Sequence, residues 1–143
     1  MMDSTNYKII EILQKDGRIS MKDLGKMVGL TSPAVSERVK RLEETGVIEG
    51  YKAVINPKKL NKNINAFINI GLPADKYKEF LEFANANNNI IECHHITGQD
   101  CLILKVMVES MDELEKLIDK IKQVGRTQTY IILSSPIESK PIL

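Results

Sequence analysis

The sequence predicts an α+β protein in two parts: three short helices with sharply punctuated ends, then strands and helices in the order β-α-β-β-α-β. Three observations carry that reading. Over residues 1–50, apolar side chains recur at helical spacing between Ser/Thr and Gly punctuation. From Ile64 onward the periodicity shifts toward alternation. Between the two lies the basic, Asn-rich stretch "KKLNKNIN", which reads as a surface connector. The expected organisation is therefore a helical head over residues 1–50, an extended arm and hinge over 51–63, and a second domain over 64–143.

The first helix is striped by Ile9, Ile10, Ile12 and Leu13, with Asp3, Ser4 and Asn6 as cap candidates and Gly17 placed to close it. The second opens at Ser20, an N-cap with Asp23 at the third helical position, and ends at Gly29. Only Leu30 separates that glycine from the next cap, Thr31. Two helices joined so tightly must cross steeply, as in a helix-turn-helix. The third helix is expected over residues 32–44. Pro33 is tolerated in its first turn, where the backbone lacks a helical partner anyway. Val35, Val39 and Leu42 point inward, and Gly46 closes the helix with Val47 packing back. Gly25 is unfavourable inside helix two unless helix three approaches it closely.

If the third helix reads DNA, Thr31, Ser32, Pro33, Ser36, Glu37, Arg38, Lys40 and Arg41 are its candidate contacts. The short polar groups of the first turns suit base edges; Lys40 and Arg41 suit phosphates. Arg38 lies beside the apolar stripe, so it either bonds phosphate or braces the domain. Taken alone, "SERVKRLEE" reads more readily as a solvated helix face; the compact three-helix context favours a winged-helix-like DNA-binding head.

In the second part, residues 66–72 read as a strand, and Tyr77, Phe80, Leu81 and Ala84 as a helix. Residues 90–97 and 101–108 are strands around a Gly98-Gln99-Asp100 turn. Ser110 and Glu113 form a capping box opening a helix striped by Leu114, Leu117, Ile118 and Ile121, and residues 127–133 are the last strand. This is a ferredoxin-like βαββαβ order. In residues 101–108, Leu102, Leu104, Val106 and Val108 share one face. Cys101, Ile103 and Met107 leave the other largely apolar too. Two helices cover one face of such a sheet, so the second predicts a homodimer.

Composition narrows the function. The chain has 143 residues, 43% hydrophobic and 27% charged, which suits a folded globular protein rather than disorder. Residues 1–63 carry 12 Lys/Arg against 8 Asp/Glu, and residues 64–143 carry 8 against 11, so a basic front meets an acidic back. No apolar run is long enough to span a bilayer. With two cysteines and no apolar leader, a cytoplasmic setting is expected. No P-loop, dinucleotide fingerprint, nucleophile elbow or metalloprotease helix occurs, so neither enzyme nor cofactor is expected. Cys93, His94, His95 and Cys101 invite a zinc reading. Strand alternation puts Cys93 and His95 on one face and His94 on the other. A hairpin turning at residues 97–100 sets Cys101 opposite Ile96, on the face away from Cys93. No metal site or disulfide is expected, unless the register slips by one residue.

"LQKDGRISMKDLGKMVGLTSPAVSERVKRLEETGVIEGYKAVINPKKL", from Leu13 to Leu60, closely resembles the head of the leucine-responsive/asparagine-responsive (Lrp/AsnC) regulators. "IECHHITGQDCLILKV" and "RTQTYIIL" resemble the central hairpin and final strand of the same family's effector and assembly domain. Asn6 departs from the acid usual before helix one, and Gly25 from the usual Ala. The resemblance implies a transcriptional regulator that binds double-stranded DNA. It also implies dimers assembling further, to octamers, and a small amino acid as effector. The effector site it implies lies at Gly98, Gln99, Asp100 and Cys101, with Thr127 and Thr129 from the last strand. The family places an Asp where this chain has Cys101, and Asp100 stands one position early. The ammonium anchor is thus shifted or absent. A DNA-architectural protein without a small effector is the rival reading, and a ferredoxin-like enzyme fused to a DNA-binding head the more distant one.

Overall fold

A computed structural model describes residues 2–143. The chain divides into two compact units: Met1–Val54 together with Ile137–Leu143, and Ile55–Pro136. The C-terminal residues thus group with the head, whereas the sequence division left them with the second domain.

The head contains α1 (Ser4–Lys15), α2 (Met21–Val28) and α3 (Ser32–Glu44). Each starts on the side chain of a short polar residue. Asp3 accepts from Asn6 N, Ser20 from Asp23 N and Thr31 from Ala34 N, satisfying N–H groups that have no helical partner. Gly29 adopts φ 73° at the end of α2, the left-handed conformation that ends a helix in one residue. Ile9, Leu13, Leu24, Val35, Val39 and Leu42 form the buried core.

Three details differ from expectation. The first helix ends on Asp16 rather than Gly17, and Gly17 instead lies where an added Cβ would be 3.6 Å from the Tyr51 ring. After α3, Val47 is 47% exposed, and Ile48 packs on the core, its N–H bonded to Leu42 O at 2.9 Å. Gly25 is needed not for α3 itself but for the turn before it, because a Cβ there would lie 2.6 Å from the Leu30 carbonyl oxygen. Residues 49–56 run as irregular chain, and Pro57–Leu60 forms a 3₁₀ turn capped by Asn56.

The second unit contains β1 (Ile64–Gly71), α4 (Tyr77–Ala86), β2 (Ile90–His95), β3 (Leu102–Val108), α5 (Met111–Lys122) and β4 (Arg126–Ile131). The strands form one antiparallel sheet in the order β2-β3-β1-β4. Ala66, Ile68 and Ile70 of β1 and Leu102, Leu104, Val106 and Val108 of β3 face the helices. They bury against Phe80, Ala84, Leu114, Leu117 and Ile121. A register shift between Ile90 and Glu92 leaves Ile91 half exposed and returns Cys93 to the core side. Glu113 closes its capping box one residue further out than usual, accepting from Glu109 N at 3.1 Å.

Candidate DNA-binding and effector sites

On α3, the residues Ser32, Pro33, Ser36, Glu37, Lys40 and Arg41 are all exposed, while Val35, Val39 and Leu42 hold the opposite face in the core. Thr31 serves as the N-cap, its Oγ1 accepting from Ala34 N at 3.3 Å. Lys40 and Arg41 are only loosely paired, each 3.8 Å from a glutamate one turn away, Glu44 and Glu37 respectively. Exposed i,i+4 pairs at that distance are worth about 0.3–0.5 kcal/mol and exchange readily for phosphate.

Arg38 takes the second of its two anticipated roles. Its Nη1 donates to Asp3 Oδ2 at 2.8 Å and to Asn6 Oδ1 at 3.0 Å, tying α3 to the first turn of α1. Asp3 thus caps α1 with one oxygen and receives Arg38 on the other. The Arg38 hydrogen bond, helped by the Asn6 N–H, holds the Asp3 carboxyl below its ordinary range. Asn6, where the resemblance led us to expect an acid, contributes a neutral acceptor to the same guanidinium.

Tyr51 was not anticipated. Its hydroxyl donates to Glu43 Oε1 at 2.8 Å, pinning the chain after the helices onto the last turns of α3. Burial first, and the Glu43 carboxylate second, push the phenol up to about 12. Tyr51, Leu13, Gly17, Ser36, Lys40 and Glu43 border a cavity of about 320 Å³ beneath that bond. The aromatic eight residues beyond Glu43 was the available signal.

In the second unit, the β2–β3 connection carries the other candidates. Ile96 N bonds Cys101 O at 3.0 Å, so Cys101 stands opposite Ile96 as the expected hairpin register requires. Cys93 pairs with Leu104 and His95 with Leu102 on the helix-covered side, whereas His94 pairs with Ile103 on the open side. No group of three or more His, Cys, Asp or Glu side chains is gathered for a metal among the described residues. Burial first, and the Cys101 thiol second, push the Cys93 thiol up.

Gly98 (φ 113°) and Gln99 are exposed in the turn. Asp100 is largely covered, its side chain 19% exposed, and its Oδ1 accepts from Arg126 Nη2 at 3.2 Å. Gly71 leaves room for this pair, since a Cβ there would lie 2.9 Å from Arg126 Nη2. The Cys101 thiol donates to Ile70 O and accepts from Leu72 N, each at 3.4 Å, at the end of β1. Thr127 and Thr129 are not brought to this group. They pair with Ile70 and Ile68, so they share the helix-covered face, while Arg126 stands beside Gly71 on the other. Within one chain the turn therefore gathers Asp100, Arg126 and Gly71 rather than the two threonines.

The comparisons with known proteins agree with this architecture. Residues 65–142 match the Lrp/AsnC ligand binding domain, and residues 2–49 match a winged helix-turn-helix DNA-binding domain. The HTH-type transcriptional regulator YezC of Bacillus subtilis, itself uncharacterised, is 42% identical over 94% of this chain and 95% of its own. The solved structure of B. subtilis LrpC superposes with a TM-score of 0.91 at 34% identity, covering 98% of this chain and 99% of that one. The Neisseria meningitidis regulator NMB0573, solved as an L-Met complex, has the same fold, with a TM-score of 0.94 at 22% identity, covering 100% and 97% of the two chains. A DNA-binding head followed by a ligand-binding domain makes this chain a transcriptional regulator rather than an enzyme, and it belongs to the Lrp/AsnC family.

Proposed function

We propose that the protein binds operator DNA as a homodimer, its two α3 helices entering major grooves about one helical turn or a multiple apart, and that a small amino acid tunes this binding. The observation that carries the first half is the division of α3 into an exposed polar face (Ser32, Ser36, Glu37, Lys40 and Arg41) and a buried apolar one (Val35, Val39 and Leu42). Dimerisation is supported by the open face of the sheet. Phe67 and Tyr130 are 38% and 48% exposed there, beside Ile103 and Met107. On the same face the side-chain oxygens of Asn65 and Asn69 are buried without a hydrogen-bond partner among the described residues, a cost that a second subunit's donors would relieve. Further assembly to octamers extends the same reading.

For the effector, the turn offers Asp100 to an ammonium and Arg126 to a carboxylate, the two charges of a free amino acid. The L-Met bound by the Neisseria protein is a precedent within the fold. One observation favours the architectural alternative: the acceptor is already engaged, because Asp100 is paired with Arg126. Native mass spectrometry with a panel of amino acids, beside gel shifts with the same panel, tests both halves. The expected result is a dimer or higher multiple whose assembly and DNA affinity respond to particular amino acids. A monomer would overturn the assembly reading, and a multimer indifferent to every amino acid would favour the architectural one.

A further inference from the structure

The C-terminal residues return to the head. Ile142 N donates to Gln14 Oε1 at 2.8 Å, and Gln14 Nε2 donates to Ile142 O at 3.1 Å, joining positions 128 residues apart. One planar amide supplies an acceptor and a donor side by side, matching the N–H and C=O that a single residue presents, so the contact imitates one rung of a β-ladder. Pro136 precedes the segment and Pro141 lies within it, each fixing one backbone angle, and the chain bends at residues 136 and 138 on its way to α1. Its apolar side chains take little part: Ile137, Ile142 and Leu143 are 70%, 85% and 66% exposed. Docking through backbone alone, with little apolar burial, makes a reversible contact.

We propose that residues 137–143 are a strap that docks on α1 and gives the head a second covalent tether. The first tether enters the second unit at Ile55, and the strap leaves it through residues 132–136. The contact uses the last turn of α1 and none of Ser32, Ser36, Lys40 or Arg41, so docking and DNA contact do not compete. A head held at two points has fewer orientations to lose when two heads must meet one operator, so the strap raises affinity for paired sites without touching DNA. This rests on the paired-head reading above.

The test compares the full chain, Gln14→Ala and a chain ending at Ser135. The probes are a duplex selected from a random pool by the full chain and the same duplex cut to one half-site. Both variants are expected to lose roughly three- to tenfold in affinity for the paired site and nothing for the half-site. Carboxypeptidase is expected to release Leu143 and Ile142 faster from Gln14→Ala than from the parent. Equal release overturns the docking, and unchanged paired-site affinity or equal losses on both probes overturn the tethering role. If the parent itself holds the paired site no better than the half-site, the paired-head reading fails and the strap's role falls with it. A parent that discriminates while the variants match it sinks the strap alone.

Discussion

Arg126 reaches from the first position of β4 to Asp100 in the β2–β3 turn, 3.2 Å between Nη2 and Oδ1, across a glycine at position 71 that leaves the space open. The acid that an amino acid's ammonium would need is thus present but already matched. A zwitterion can replace the pair only by offering each partner its opposite charge. Asp100→Ala is therefore expected to abolish amino-acid binding. Arg126→Met is expected to weaken it by roughly ten- to a hundredfold, the worth of a charged hydrogen bond at about 1.5–3 kcal/mol. Cys101→Asp will not restore the family's anchor, because the side chain at 101 lies against Ile70 O. Calorimetry on the parent and the three variants checks this, and stronger binding by Cys101→Asp would refute the geometric argument.

On α3, Lys40 and Ser36 are expected to behave differently. Lys40→Ala should weaken binding to every sequence and lower the slope of log affinity against log salt by about one unit, as loss of one phosphate contact does. Ser36→Ala should act chiefly on the preferred operator, narrowing its advantage over other DNA. Gel shifts at several salt concentrations separate the two outcomes. Operator binding equal to the parent's in both variants would mean that another surface reads the DNA.

The Asp3–Arg38 pair gives the head an acid-sensitive brace. Asp3 is held below its ordinary value near 3.8, chiefly by the Arg38 hydrogen bond, so its ionised form is favoured in the folded state. Stability from this source is complete above the ordinary aspartate range and is lost as pH falls through the depressed value. Thermal melts of the parent and Asp3→Asn should converge as pH drops below about 4 and diverge above it. A difference independent of pH would assign the effect of the substitution to capping alone, since asparagine still caps a helix.

Much of the head was legible because its signals are local. Ser20, Gly29 and Thr31 mark helix ends through bonds that reach three or four residues, and the α3 core triplet follows from helical spacing alone. The hairpin register was legible for the same reason, since a short turn fixes which residues oppose. What escaped was decided by partners remote in sequence. Arg38 could not choose between phosphate and brace until Asp3, 35 positions away, was placed beside it. Arg126 met Asp100 across 26 positions, and Gln14 met Ile142 across 128. The threonines of β4, assigned to the same site by resemblance, lie within one chain on the sheet face opposite Arg126. Strand alternation was readable in principle, yet it needed the β1–β4 register, which no local signal supplies.

The open sheet face leads to a test of assembly. Ile103 and Met107 lie there on β3, half-buried in the isolated chain. A charge at either is tolerated in a monomer but costs a few kcal/mol if a second sheet covers it. Ile103→Asp is expected to convert the protein to monomers in analytical ultracentrifugation while leaving its circular dichroism unchanged. A variant that sediments as the parent does would place the interface elsewhere.

Tyr51 offers a test of how α3 is held. Its hydroxyl bonds Glu43 only while protonated, because a phenolate would face a carboxylate at the same distance. Burial and that carboxylate raise its ionisation from 10.0 to about 12. The sign follows: a group raised above its unfolded value contributes stability that is fully present below pH 10 and is lost as pH rises through 12. Ultraviolet titration of the four tyrosines should show one ionising about two units above the free phenol, and Tyr51→Phe should remove that step alone. Phenylalanine keeps the ring over Gly17 but loses the bond, so Glu43 and the end of α3 are freed without a cavity opening. Operator affinity in gel shifts is then expected to fall by several-fold, about 1 kcal/mol for one lost hydrogen bond, at every pH below 10. Glu43→Gln, which can still accept from the hydroxyl, should keep most of that affinity while lowering the Tyr51 ionisation. Equal losses in Tyr51→Phe and Glu43→Gln would overturn this expectation, because the hydroxyl would then hold the end of α3 only through a charged acceptor.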